Sequence, residues 1–493
     1  MRALDLPLFR HRSEGVPSPA GSSSEWGRVN LMAEQIPPFS PAWIRFTTRT
    51  LQRLSVCNTP ISNYLRKHSI LPNHQLMPVQ VSSEIGKLKR VVVHRPDEGI
   101  ARISPKRASE LLFDDIVHLP QMQEEHDVFT NVLRAFLGQE NVLETRQLLC
   151  EAIANDAETK KWVIHEIVDY EELPKSIETT LLELPDDKLA ETLITGYLEA
   201  DDHILFDPIP NFIFTRDIAV TVNDHVIITK PGKEARFREN YLSRFIFWSH
   251  PIFAHLKEEG RLINMNNVEE FPPSRRGELV SLEGGDVMIL NKDYLLIGRS
   301  ERTSAHAIHT LRNKLFERKV VKNVVQINIP QERSYMHIDT IFTQINNNHI
   351  VAFKPIVVEG LSSNVEVHKS NGTSVFYHSV RDFVINEINP NMEFILSGEG
   401  ISPYQEREQW TDGCNLVALK PGVAFTYDRN PNTEKAFKKA GYNVVHARQL
   451  LKDLQSGKVK PEDVENTIIN LPSNELSRAR GGSHCMTCPI ERE

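Results

Sequence analysis

The sequence predicts a two-layer α/β fold interrupted by a helical insertion, and three observations carry that prediction. Short apolar runs of strand length recur at residues 88–94 and along residues 203–490. Runs with helical spacing lie between them. Residues 119–200, by contrast, are rich in charge and helical periodicity and poor in β-forming runs.

The ordered chain is expected to begin near Val79. Residues 88–94 (LKRVVVH) read as a buried strand closed by the Arg95-Pro96-Asp97-Glu98-Gly99 turn. In the insertion, Phe129, Val132, Leu133 and Phe136 fall at helical spacing, as do Trp162, Ile164, Ile167 and Val168. Beyond Asp201 the strand candidates are residues 203–206, 212–214, 225–229, 278–282, 286–290, 294–298, 320–327, 340–345, 349–353, 393–396, 416–419, 423–427 and 443–446. The polar turns Asn291-Lys292-Asp293 and Asn346-Asn347-Asn348 each join two apolar runs into a hairpin. Helical runs at residues 305–316, 380–388 and 433–440 separate the strands. A strand pair, a helix and a further strand therefore recur as ββαβ units, with no visible sequence similarity between them.

The bulk numbers fit a soluble globular enzyme. The chain has 493 residues, 40% hydrophobic and 25% charged. Its formal charge of −8 argues against nucleic acid or an anionic membrane as main partner. Five irregularly spaced cysteines (Cys57, Cys150, Cys414, Cys485, Cys488) are no secreted disulfide framework, so a reducing, cytoplasmic setting is expected. Residues 1–75 hold nine Lys or Arg against four acidic residues, with no apolar core of a secretory signal. Residues 1–77 are accordingly expected to be a disordered extension, with organellar targeting as an alternative. Residues 78–493 are expected to form the catalytic domain.

The segment Arg480-Gly481-Gly482-Ser483-His484-Cys485-Met486-Thr487-Cys488-Pro489 is the most informative stretch. Paired glycines allow close backbone approach or positive φ just before a cysteine. Arg480 and His484 offer positive charge to stabilise a thiolate, which a cysteine nucleophile requires. Cys485-x-x-Cys488 also admits a zinc half-site or a redox dithiol, but the chain holds no second CxxC or CxxH.

Three further motifs supply carboxylates and a histidine. In Met336-His337-Ile338-Asp339 an extended backbone would put His337 and Asp339 on one face. Leu282-Glu283-Gly284-Gly285-Asp286 flanks two glycines with acids at a strand end. Residues 211–217 (NFIFTRD) read as an alternating strand with Asn211, Ile213, Thr215 and Asp217 on one face. Carboxylates beside a thiol suit a guanidinium group, a planar cation whose five N–H donors match paired carboxylates. Its resonance-stabilised carbon demands a strong nucleophile.

With these motifs the chain resembles the arginine deiminase family of the pentein superfamily from about Val79 to its C-terminus. The resemblance rests on Pro210-Asn211-x-x-Phe214-Thr215-Arg216-Asp217, Glu283-Gly284-Gly285-Asp286, Glu301-Arg302-Thr303-Ser304, Met336-His337-x-Asp339-Thr340 and Arg480-Gly481-Gly482-x-x-Cys485-Met486. It implies a five-bladed α/β propeller and the hydrolysis of L-arginine to L-citrulline and ammonia, without metal or organic cofactor. It further implies Cys485 as nucleophile, His337 as proton shuttle assisted by Glu283, and Asp217 and Asp339 as clamps on the guanidinium. Asn211, Arg236 and Arg302 would hold the substrate carboxylate, Phe214 would pack on its aliphatic stem, and Arg480 would gate the pocket. Family members often form homo-oligomers. Two departures stand out: the N-terminal extension, and some twenty additional residues between Ala447 and Arg480, with an exposed loop or short helix expected at residues 457–463.

Other readings remain at this point. A different guanidino substrate, such as agmatine or a methylated arginine, would use the same nucleophile, but agmatine has no carboxylate for Arg236 and Arg302. A non-catalytic arginine-binding pentein should have lost Cys485 or His337, and both are present.

Overall fold

The computed structural model describes residues 77–113 and 115–493. The extension expected over residues 1–77 lies, but for Met77, outside the described residues, as does Cys57.

Polar turns between β-branched runs make hairpins, and a helix after each hairpin carries the chain back to start a parallel partner. Ala219–Val222 pairs antiparallel with His225–Ile228, which Leu262–Asn264 joins in parallel. Val287–Asn291 and Tyr294–Arg299 repeat the pattern with Asn323–Asn328, reached through the helix Ala305–Glu317. Phe342–Asn346 and His349–Ala352 repeat it with Glu393–Leu396. Val417–Lys420 and Val423–Tyr427 repeat it with Thr467–Leu471, which also takes Asn443–His446 on its far edge.

The fifth sheet uses both ends of the described chain. Cys488–Arg492 runs antiparallel to Leu88–Val93, and Val142–Glu144 lies parallel to Leu88–Val93. The predicted α/β class and the hairpins at Asn291-Lys292-Asp293 and Asn346-Asn347-Asn348 are thus borne out, each hairpin with a register shift at its last pair. Side chains facing the sheets build the core. Val417, Phe425 and Ile469 pack with the helix residues Phe129, Val132 and Leu133 in one cluster.

Residues 119–195 contain the helices Leu119–Leu137, Thr145–Asn155, Ala157–Tyr170, Ser176–Glu183 and Asp186–Thr195. The first of them connects Leu88–Val93 to its parallel partner Val142–Glu144, so it serves the fifth sheet. The other four follow that sheet's last strand, and Leu148, Leu149, Val163, Ile164, Leu189 and Leu193 pack together with Phe245 and Phe253. Among the described residues no helix is long and apolar enough to cross a membrane.

Two local expectations are corrected. The strand predicted over residues 211–217 is instead a 3-10 turn at Pro210–Ile213 followed by a loop. Every side chain from Pro208 to Val222 is buried, so the apparent alternation marked no solvent face, and Pro210 cannot donate to a ladder. Residues 278–282 form no strand; Leu282 makes one isolated bridge to Lys230. The exposed loop or short helix expected at residues 457–463 is present, mostly exposed and ending in the 3-10 turn Pro461–Asp463, and the helix Ala447–Gln455 and strand Thr467–Leu471 on either side carry the chain back into a sheet before Arg480 is reached.

Candidate active site

Each of these five sheets is entered through a short loop, and four of the five sequence motifs reach into these loops, whereas residues 301–304 follow the strand Tyr294–Arg299. Residues 214–217 precede Ala219–Val222, residues 283–286 precede Val287–Asn291, and residues 337–340 precede Phe342–Asn346. Residues 411–415 precede Val417–Lys420, and residues 481–487 precede Cys488–Arg492.

Hydrogen bonds join the loops into a closed ring. Gly285 N donates to Asp217 Oδ1 at 3.0 Å, and Ile338 N donates to Asp286 Oδ1 at 3.0 Å. Asn415 Nδ2 donates to the Asp339 carbonyl at 3.1 Å, and Cys485 N donates to Asn415 Oδ1 at 3.1 Å. Arg216 N closes the circle on the Cys485 carbonyl at 3.0 Å.

The glycines in the ring are required by space, not by backbone angle. A Cβ on Gly285 would lie 2.5 Å from His337 Nδ1, and one on Gly481 would lie 2.2 Å from the Phe214 ring. Neither residue has a positive φ.

Cys485, His337, Asp217, Glu283, Asn211, Phe214, Arg236, Arg302 and Arg480 all line one recess, together with Arg333 and Met336. Asp339 does not line it. It is fully buried behind the nucleophile, with Oδ2 3.5 Å from Cys485 Sγ and 2.9 Å from His484 Nδ1. The backbone explains the split: His337 is extended, but residues 338–340 turn into a 3-10 helix, so His337 and Asp339 do not share a strand face.

His337 Nε2 lies 3.0 Å from Glu283 Oε2, and its Nδ1 lies 3.8 Å from Asp217 Oδ1. Burial disfavours a charged imidazole, but Asp217, Glu283 and Asp286 outweigh it and push His337 up to about 10. Burial also opposes the Glu283 carboxylate, yet Arg236, His337 and Arg302 hold it well below the usual range. His337 and Glu283 thus form an imidazolium–carboxylate pair.

Cys485 is the reverse of the expectation. Burial, followed by the charges of Asp339, Asp217 and Asp412, pushes the thiol well above its ordinary value. Arg480 and His484 precede it in sequence, but His484 faces Asp339 and Glu84. Burial and these carboxylate charges therefore disfavour the thiolate. The amide of Asn415, whose Nδ2 lies 3.2 Å from Sγ, acts to lower the thiol's value.

Arg236 is gripped by acids. Its Nη1 donates to Asp217 Oδ2 at 2.6 Å and to Glu283 Oε2 at 3.1 Å, and its Nε donates to Glu239 Oε2 at 2.9 Å. Asp217, Glu283 and His337 present ligand atoms within 4.8 Å of one another, a spacing that would also admit a metal ion. Here the cation resting on both carboxylates is a guanidinium. Arg302 Nη1 lies 3.7 Å from Glu283 Oε1, while its buried Nε has no hydrogen-bond partner among the described residues. Asn211 anchors the recess wall by donating from Nδ2 to the Leu111 carbonyl at 2.7 Å.

Sequence reasoning missed Asn415, Asp412, Arg333 and Glu239. Asn415 had one available signal: a polar residue just before a predicted strand, the place where the four other units carry their motif. Cys488, left without a role, is buried with its Sγ 3.1 Å from the Ala219 carbonyl in a different core cluster from Cys485, so the two thiols serve separate environments.

The family model described as Arginine deiminase matches residues 109–201 and 183–492. The "Arginine deiminase" of Listeria monocytogenes is 32% identical over 440 residues, covering 84% of this chain and 98% of that protein. The "Arginine deiminase" of Limosilactobacillus fermentum is 33% identical over 441 residues, covering 84% and 99%. Among solved structures, the N-terminal domain of ArgZ, a cyanobacterial arginine dihydrolase bound to product, matches with a TM-score of 0.43 and 12% identity over 82% of this chain and 97% of that one.

Proposed function

Because the chain belongs to the arginine deiminase family, we infer that it hydrolyses L-arginine to L-citrulline and ammonia, with residues 78–493 as catalytic domain and Cys485 as nucleophile. The observation that carries the reading is the convergence of a thiol, an imidazolium and two carboxylates on one recess that already holds a guanidinium. The ring of five loops, each entering a sheet that begins with an antiparallel pair and a parallel third strand, supports a five-bladed propeller with the site at its centre.

In the proposed mechanism the substrate guanidinium replaces that of Arg236 on Asp217. Arg236 is thereby released to join Arg302 and Asn211 at the α-carboxylate, and Phe214 covers the aliphatic stem. The incoming cation between thiol and carboxylates lowers the cost of the thiolate, so ionisation follows binding and the thiol proton passes to solvent, from which the departing ammonia later takes one to become ammonium. Cys485 Sγ adds to the guanidinium carbon. His337 passes a proton to one terminal nitrogen, the C–N bond breaks, and ammonia leaves an amidino-thioether on the enzyme. Neutral His337 then takes a proton from water, whose oxygen adds to the same carbon, and collapse expels the sulfur, which takes up the proton left on the new oxygen, restoring the thiol and yielding citrulline.

Unpaired cysteines and a thiol nucleophile suit a reducing, cytoplasmic setting. The direct test is a citrulline and ammonia assay on the purified protein with L-arginine and with agmatine. Equimolar citrulline and ammonia from arginine are expected; consumption of agmatine with arginine untouched would refute the substrate.

Two further outcomes are expected. Asp217→Ala and Asp339→Ala should each lower kcat/KM at least about 100-fold, or about 2.7 kcal/mol of transition-state stabilisation. Losses below about tenfold at both would show that the carboxylates do not act on the reacting group. Removal of the Asp339 charge also removes repulsion of the thiolate. The pH midpoint for alkylation of Cys485 by iodoacetamide should therefore fall in Asp339→Asn relative to the wild type. A midpoint that stays or rises would contradict the electrostatics.

A further inference from the structure

The fourth loop of the ring follows the helix Tyr404–Trp410 and carries no residue of the proposed chemistry, yet this segment touches three parts of the site. Gln409 Nε2 donates to the carbonyls of Ser334 at 2.9 Å and Thr340 at 3.2 Å, the two ends of the loop that bears His337. Asn415 holds the backbone of His484 and Cys485. Between them Trp410 lies under Arg480, whose guanidinium carbon sits 3.2 Å from the centre of its ring.

Arg480 is a non-glycine residue in the left-handed region, with φ 63° and ψ 56°, at the end of the 3-10 turn Leu476–Ala479. Such a conformation costs about 1 kcal/mol or more and persists only where surrounding contacts determine it. Contacts on both sides of Arg480 supply that constraint. Glu125 accepts from the backbone N–H groups of Glu475 and Leu476, fixing the start of the turn. Tyr427 Oη donates to the Gly481 carbonyl at 2.7 Å, fixing the residue after Arg480. Both ends of the segment are pinned, and the indole is the surface against which the side chain between them lies. Trp410 is 45% exposed, too open to be a core residue whose loss would collapse the fold.

We propose that Trp410 is a positioning residue for the reaction: its indole face is the platform that holds the Arg480 guanidinium at the recess, so that retention of substrate depends on Trp410 through Arg480. The proposal rests on the arginine-hydrolysing reading above. A cation held over an aromatic face is attracted by the negative face of the ring, which restrains the guanidinium without using its N–H donors. Asp412, two residues on and buried, adds a charge that attracts Arg480 from the same loop.

A double-mutant cycle with steady-state kinetics tests it, using Trp410→Ala, Trp410→Phe, Arg480→Ala and Trp410→Ala/Arg480→Ala, with a thermal melt of each. Trp410→Ala is expected to lower kcat/KM about tenfold, about 1.4 kcal/mol, chiefly through KM, with kcat changed less than about threefold. Trp410→Phe should recover most of the loss, and Trp410→Ala should cost less than about twofold once Arg480 is Ala. An equal loss in both backgrounds, a loss below about twofold in the wild type, or Phe no better than Ala would overturn the proposal. Were Trp410→Ala not to fold, Trp410→Leu would replace it in the same cycle. Wild-type protein that turns over no arginine would sink the underlying function, and the proposal with it; an active wild type with additive variants would sink the platform alone.

Discussion

Replacement of Cys485 by Ala is expected to reduce citrulline formation by about 10⁵-fold or more, because nucleophile loss in enzymes of this kind typically costs that much. No other described thiol can substitute. Cys414 and Cys488 are buried in separate core clusters, where burial pushes each thiol up to about 12, and Cys150 lies on the helix Thr145–Asn155. The substitution also removes the Cys485 side-chain contacts with Asp339 and Asn415 without touching Asp217, Glu283 or the arginines. Arginine binding measured by calorimetry should therefore persist while turnover disappears. Turnover within tenfold of the wild type would overturn the mechanism.

His337→Ala is expected to cost about 10²–10⁴-fold in kcat, the usual range for a positioned acid–base group, since one imidazole serves both proton transfers. Its pairing with Glu283 predicts the pH behaviour. Raised to about 10, His337 remains charged across the neutral range and lends its proton without a pre-equilibrium cost there. Glu283→Gln removes one of the charges that raise it, so the imidazolium should deprotonate at lower pH and the alkaline limb of kcat/KM should move to lower pH. A limb that stays in place or moves up would show that Glu283 does not govern His337.

The strands and hairpins were legible because one polar turn between two β-branched runs is a local signal, and local signals survive in a single sequence. Asn211 to Asp217 misled because alternation reports a strand only where one face meets water, and here both sides are buried. The recess residues were legible as a set, since thiol, histidine and carboxylates restrict the chemistry wherever they converge. Their electrostatics were not. Arg480 and His484 adjoin Cys485 in sequence, but the charges that act on its sulfur come from Asp339, Asp217 and Asp412, brought in by three other loops. The grip of three carboxylates on Arg236 likewise depends on residues 19 and 47 positions away as well as on its neighbour Glu239.

The central claim is a covalent bond between Cys485 and the substrate's guanidinium carbon. Acid quenching of the wild type during turnover of L-arginine, followed by peptide mass analysis, tests it most directly. The peptide containing Cys485 is expected to carry the mass of arginine less ammonia, and the modification is expected to vanish in Cys485→Ala. Citrulline formation with Cys485 unmodified at every quench time, or with the mass on another residue, would contradict it.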